Sequence, residues 1–166
     1  FLAVSGMIAL LVSVFLNKDN SYRITVRLCN LSFFITIILI FFSYSRSGSL
    51  FNEAFIYDDL ARFTKILILI GTILTLIIGY KSQKLDNFAR PEYPVLILFS
   101  VLGMLLMASS NDLIGFYMSL ELQSLPLYVI ATINRDSIKS SEAGLKYFIL
   151  GALSSGLLLY GMSLVY

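Results

Sequence analysis

The sequence predicts an all-α, polytopic membrane protein with about six transmembrane helices, and three observations carry that reading. Of its 166 residues 58% are hydrophobic and 13% charged, with a mean hydropathy of +0.86; an ordinary soluble domain carries about 25% charged residues. Charge is not scattered but punctuates the chain, leaving six long apolar runs separated by short polar loops. One of those runs, Leu113 to Ile133, is long enough to cross a bilayer core, which needs roughly 20 helical residues, and holds a carboxylate, Glu121, near its middle.

The runs follow in order. Residues 1–17 are free of charge and form a first span. Residues 26–45 give the second, dense in Ile and Phe (FFITIILIFF), whose bulky side chains suit lipid. The third, 60–80, has Arg62 and Lys65 in its first turns and a clean apolar stretch from Ile66 onward. The fourth, 94–110, starts on Pro94, where a missing N–H is harmless. The fifth, 112–133, contains Glu121, and the sixth, 142–165, completes a single transmembrane domain over 1–166. The longest loop, Arg46 to Asp59, mixes apolar and acidic residues and is expected to lie along the interface. Asn111-Asp112 is barely a turn, so the fourth and fifth helices are antiparallel neighbours, and Asp112 suits a helix N-cap.

Lysine and arginine set an orientation. Loops after the first, third and fifth helices hold Lys18, Arg23 and Arg27, then Lys81, Lys84 and Arg90, then Arg135 and Lys139; the other side holds Arg46, Arg62 and Lys65. Eight against three places the odd loops on the cytoplasmic or matrix side. Several function classes drop out at this point. The net charge is +2 and its cations lie in short membrane loops, which gives no surface for nucleic acid. The lone Cys29 forms no internal disulfide, and without histidine there is no metal site to read. The chain is apolar from Phe1 with no basic segment ahead, so this run does not read as a signal peptide. There is no phosphate loop, nucleophile–base pair, haem motif or CxxC, hence no redox centre.

The candidate chemistry rests on Glu121. An acid at mid-membrane costs on the order of 2.5–3.5 kcal/mol by insertion scales, and such residues are functional by default. The bland alternative is a neutral acid hydrogen-bonded to Ser119, Gln123 or Ser124. Pro126 follows one turn later, cannot donate to the carbonyl of Leu122, and is expected to bend or break the helix beside the acid. On the sixth helix Ser141 resembles a cap ahead of Glu142, and Lys146 lies four residues beyond that acid. Two readings stay open for Lys146: a surface Glu–Lys pair worth about 0.2–0.5 kcal/mol, or a membrane-boundary cation facing the Glu121 helix. GALSSG (151–156) reads as small residues for close helix packing, with Ser154 or Ser155 lining a water path as the lesser alternative. Tyr128 and Tyr147 could hydrogen-bond near the acid, although tyrosines at membrane interfaces are ordinary.

At SLELQSLPLYVIA, then NRDSIKSSEAGLKYFILGALSSGLLLYG, the chain resembles the antiporter-like subunit N of respiratory complex I, known in mitochondria as subunit 2 of NADH dehydrogenase. The resemblance is weak at the start and dense from Phe51 onward. It implies the N-terminal portion of an antiporter-like inverted-repeat fold, and a non-redox subunit of a proton-translocating NADH:ubiquinone oxidoreductase. Glu121 matches the family's essential acid and Lys146 the lysine of the next helix, a pair that couples quinone reduction elsewhere to proton transfer. No cofactor is expected on this chain; NADH, FMN, iron–sulfur clusters and ubiquinone belong to other subunits. The implied surroundings are other membrane-arm subunits, membrane lipid, and the mitochondrial inner membrane, or alternatively a bacterial plasma membrane. Richness in Phe, Ile, Tyr, Asn and Lys fits an AT-rich genome such as mitochondria often have. Family members continue into a second repeat with further lysines, so a split or fragmented subunit with a companion polypeptide is the expectation. A cation/proton antiporter subunit, a structural subunit without pumping activity, and a small stand-alone transporter are the competing readings.

Overall fold

The computed structural model describes residues 1–15, 18–42, 48–51, 53–85, 90–134 and 137–165, with the backbone alone at 18–20, 49–50 and 81–85. Of the cations that set the orientation, Lys18, Arg46, Lys81, Lys84 and Arg135 lie outside the described side chains. Among the described residues six helices form: α1 (Leu2–Phe15), α2 (Lys18–Phe42), α3 (Asp59–Leu85), α4 (Glu92–Met107), α5 (Leu113–Ala131) and α6 (Ile138–Val165). Four of them, α2, α3, α5 and α6, are long and apolar enough to cross a membrane; α1, with 14 residues, and α4, with 16, are shorter apolar helices. At 1.5 Å per residue those two reach only about 21 and 24 Å.

Helix α4 is the hub. It packs against α1, α2, α3 and α5, and its Val95, Leu98, Val101 and Leu105 join Cys29 and Phe33 of α2 and Leu69 and Leu76 of α3 in the core. It reaches α5 through Gly103. A methyl group there would stand 2.5 Å from the Gln123 amide nitrogen and 2.8 Å from the Ser119 carbonyl oxygen, so only glycine admits the two backbones at this separation.

Helix α2 starts at Lys18, well before the expected 26. The early turns look polar, but their small hydroxyls are buried against α1: Ser21 donates to the Ser13 carbonyl (2.8 Å) and Thr25 to the Ser21 carbonyl (2.8 Å). Satisfied in this way, serine and threonine serve as close-packing residues. Helix α6 starts at Ile138, four residues early. Its cap is Ser137, whose Oγ accepts from the Ser140 N–H (3.4 Å), rather than Ser141. Ser140 in turn donates to the Ala131 carbonyl (2.8 Å), tying α6 to the end of α5.

The loop between α2 and α3 carries an unexpected antiparallel hairpin, β1 (Gly48–Leu50) with β2 (Phe55–Tyr57). It folds over the α4–α5 turn. The Ile56 N–H donates to the Ser109 carbonyl (2.9 Å), the Asn111 N–H to the Ala54 carbonyl (2.8 Å), and the Asn111 amide to the Glu53 carbonyl (3.1 Å). Phe51 and Glu53 sit at φ 56° and 66°, a region ordinary residues adopt only when surrounding contacts hold them there. Arg62 and Lys65, counted at first as orientation charges, fasten this hairpin: both lie over the Tyr57 ring, at 5.1 and 5.2 Å, and Arg62 also pairs with Asp59 (3.0 Å).

Candidate functional site

Glu121 lies in the middle of α5. On a helix of 3.6 residues per turn, i, i+7 and i+11 fall within about 20° of one line, so Glu121 shares a face with Tyr128 and Thr132. That face is turned to α6. A methyl group on Gly144 of α6 would overlap Thr132, and one on Gly151 would overlap the Tyr128 hydroxyl. Ser119, Gln123 and Pro126 occupy the opposite face, against α4; Ser119 and Pro126 are buried.

The seam between α5 and α6 has two halves. At one end Tyr128 packs edge-to-face on Tyr147 (ring centroids 4.8 Å, 85°) and on Phe148 (5.7 Å, 86°). These tyrosines lock the helices, with no hydrogen bond to the acid. At the other end the helices part around a cavity of about 340 Å³ lined by Leu113, Ile114, Tyr117, Leu159, Met162 and Ser163. Thr132 opposite Gly144, Tyr128 opposite Phe148 and Gly151, and Tyr117 beside Leu159 fix an antiparallel register. In that register Ser155 stands level with Glu121. Ser155 is half-buried and donates to the Ala152 carbonyl (3.2 Å), whereas Ser154 is exposed.

Glu121 itself is half-buried, and its Oε1 is fully buried with no hydrogen-bond partner. Two of the three partners of the bland reading are engaged elsewhere: the Ser119 hydroxyl donates to the Gly115 carbonyl (2.7 Å) and the Ser124 hydroxyl to the backbone carbonyl of Glu121 (3.2 Å), while Gln123 lies on the opposite face of α5. Such a buried, unmatched carboxyl oxygen is costly, on the order of 1–3 kcal/mol. Pro126 does not end the helix; α5 runs through it to Ala131, with the proline buried toward α4. Asp112 takes the N-cap position, where the Phe116 N–H donates to its carbonyl (2.9 Å), but its carboxylate makes no cap hydrogen bond.

Lys146 and Glu121 are not brought together. The Lys146 ammonium is 2.6 Å from Glu142 Oε1, both side chains exposed at 68% and 59%. Gly144, Tyr147, Phe148 and Gly151 define the α5-facing line of α6, and Lys146 lies about 150° around the helix from it. Glu142 and Lys146 thus look outward from the bundle. Of α6 only Gly144 is fully buried.

The comparisons agree with this architecture. The family described as NADH:quinone oxidoreductase/Mrp antiporter, TM, matches residues 110–166. NADH-quinone oxidoreductase subunit N of Pelagibacter ubique is 53% identical over 167 residues, covering 100% of this chain and 35% of the relative; that of Rhodospirillum rubrum is 48% identical, covering 99% and 34%. Among solved structures, a chain of respiratory complex I from Thermus thermophilus with bound aureothin superposes with a TM-score of 0.80 at 28% identity, over 99% of this chain and 35% of that one. A chain of the membrane-bound sulfane sulfur reductase, an archaeal respiratory membrane complex, shares the fold (TM-score 0.74, 17% identity). The chain therefore spans about a third of the length of the relatives it matches. It is a membrane-embedded, multi-pass chain, and in sequence and fold it resembles the N-terminal part of the antiporter-like subunit N of respiratory complex I.

Proposed function

We propose that this chain forms part of a proton-translocating membrane-arm subunit of NADH:ubiquinone oxidoreductase, in which Glu121 and Lys146 pass protons while electron transfer takes place on other subunits. The observation that carries the reading is the buried, unpartnered Oε1 of Glu121 on the α6-facing side of α5. A carboxyl in that setting is stabilised by whatever proton or cation arrives, and is correspondingly sensitive to charge nearby. Tyr117, one turn before the acid, lines the loose half of the α5–α6 seam, where side chains have room to move. Pro126 leaves the carbonyl of Leu122, the residue after the acid, without its helical donor, a local weak point in the backbone that carries Glu121.

Lys146 takes the outward role. Glu142 holds its ammonium on the far face of α6; Lys146 first gives its proton to whatever packs on that face, and the neutral amine is then reloaded by the proton leaving Glu121, which travels around or through α6. The occupant of that face is a companion segment carrying the later helices, on the same or a separate polypeptide. NADH, FMN, iron–sulfur clusters and ubiquinone belong to other subunits on this reading. Its membrane is an energy-coupling one, either a bacterial plasma membrane or the mitochondrial inner membrane.

A second reading, a subunit of a cation/proton antiporter, is favoured by the breadth of the matching family, whose description covers both. Blue-native electrophoresis of the source membranes, with mass spectrometry of the band containing this chain, separates them. The proposal expects a band of complex I size with inhibitor-sensitive NADH dehydrogenase activity and peptides of the later helices. A small assembly without that activity contradicts it.

A further inference from the structure

We infer that the groove between α2 and α3 at the Arg23–Arg27 end holds the headgroup of an anionic phospholipid. Arg23 and Arg27 lie one helical turn apart on the same face of α2, about 6 Å along the axis. Both are exposed, and neither has an acidic partner among the described residues. Like charges at i, i+4 repel, and a bound anion relieves that repulsion. With Val26, Asn30, Ile77 and Tyr80 they line a cavity of about 340 Å³, large enough for a phosphate and its substituent. Tyr80 stacks flat on the buried Tyr22 (5.5 Å, 7°), which makes the aromatic wall rigid.

The surface beyond the cations has the shape of a lipid. On the same face of α2, at i+11, i+15 and i+18 from Arg23, stand Phe34, Ile38 and Phe41, all exposed, and on α3 Ile77, Leu74 and Ile70 are exposed as well. A cationic end thus continues into an apolar trough about as long as an acyl chain. The groove also opens at the cation-rich end of the bundle, the side whose leaflet is enriched in anionic lipid. The contrast with Arg62 is informative: at the opposite end that guanidinium is buried and committed to Asp59 and Tyr57. Guanidinium groups suit phosphate because they donate two parallel hydrogen bonds. This site is remote from Glu121 and stands whether or not the proton-transfer reading does.

The test uses the assembled complex in phosphatidylcholine nanodiscs doped with diazirine-bearing phosphatidylglycerol or, in parallel, diazirine-bearing phosphatidylcholine. After illumination the adducts are mapped by mass spectrometry. Adducts from the anionic probe on α2 and the C-terminal half of α3 are expected to exceed those from the zwitterionic probe by roughly thirtyfold, the scale set by two interfacial cations. The R23Q/R27Q variant is expected to bring the two probes level, and R23K/R27K to keep most of the preference. Equal labelling by both probes in the unaltered complex overturns the inference, even if the glutamine variant fails to assemble. So does displacement by inorganic phosphate, which would make this a site for the free ion, and so do adducts confined to another subunit covering the groove.

Discussion

Helix α5 has two seams, and they are built differently. Against α4 it meets Gly103 at backbone distance, with Ser119 and Pro126 buried, while cavities of about 290 and 400 Å³ flank the Leu127–Ile133 end of the same seam. Against α6 it is clamped by aromatic rings at one end and parts around about 340 Å³ of apolar cavity at the other. Glu121 points into the second seam. A backbone-to-backbone contact such as that at Gly103 leaves no room for rearrangement at its own level, while a seam of large side chains beside an apolar void tolerates rotamer changes. The difference teaches that the acid is backed, at the level of Ser119 and Gln123, by a backbone contact and faces a seam made of side chains.

Breaking the rigid seam is expected to have the largest structural effect. Gly103→Ala places a methyl group into the Gln123 and Ser119 backbone, and is expected to cost about 3 kcal/mol or to prevent assembly. Yield of the intact complex and its thermal midpoint measure this. Tyr128→Ala removes two edge-to-face contacts, worth about 1–3 kcal/mol together, and should free the upper half of the second seam. Hydrogen exchange in α6 should rise there while α4 stays protected; unchanged exchange would mean the aromatic clamp is not what holds α6.

The hairpin lies outside both seams and should respond less. Asn111→Ala loses a side-chain bond to the Glu53 carbonyl, worth about 1 kcal/mol. It is expected to speed proteolysis at Phe51–Ala54 without moving α5. Smallest of all is Glu142→Gln. The exposed Glu142–Lys146 pair contributes about 0.2–0.5 kcal/mol, so stability should hardly change. Any loss of proton transfer in that variant then reports on Lys146 rather than on folding.

Much of this was legible in the residues. Charge punctuation marks the six helices, Asn111-Asp112 makes α4 and α5 neighbours, and Pro94 sits in the first turn of α4. The misses share a physical cause, which is partners far away in sequence. The hairpin strands are three residues each and depend on Ser109 and Asn111 for pairing. The start of α2 looks like a loop because Ser21 and Thr25 are polar, yet both are buried, and Ser21 bonds to α1. Lys146 is the clearest case. Its spacing from Glu142 allowed a surface pair or a partner for Glu121, since spacing along a helix does not say which way the helix is turned. The glycines facing Thr132 and Tyr128 decide it, and they turn the lysine outward.

The most direct test of the central claim is proton translocation by proteoliposomes containing the assembled complex with Glu121→Gln. Glutamine keeps the size and polarity of the side chain and removes its proton exchange. The account predicts normal assembly and intact NADH oxidation by an artificial acceptor. It also predicts proton transfer reduced on the order of a hundredfold, the lower range for a positioned proton-transfer group. Translocation at the unaltered rate, in a complex assembled to the same level, would contradict it and leave Glu121 a structural residue.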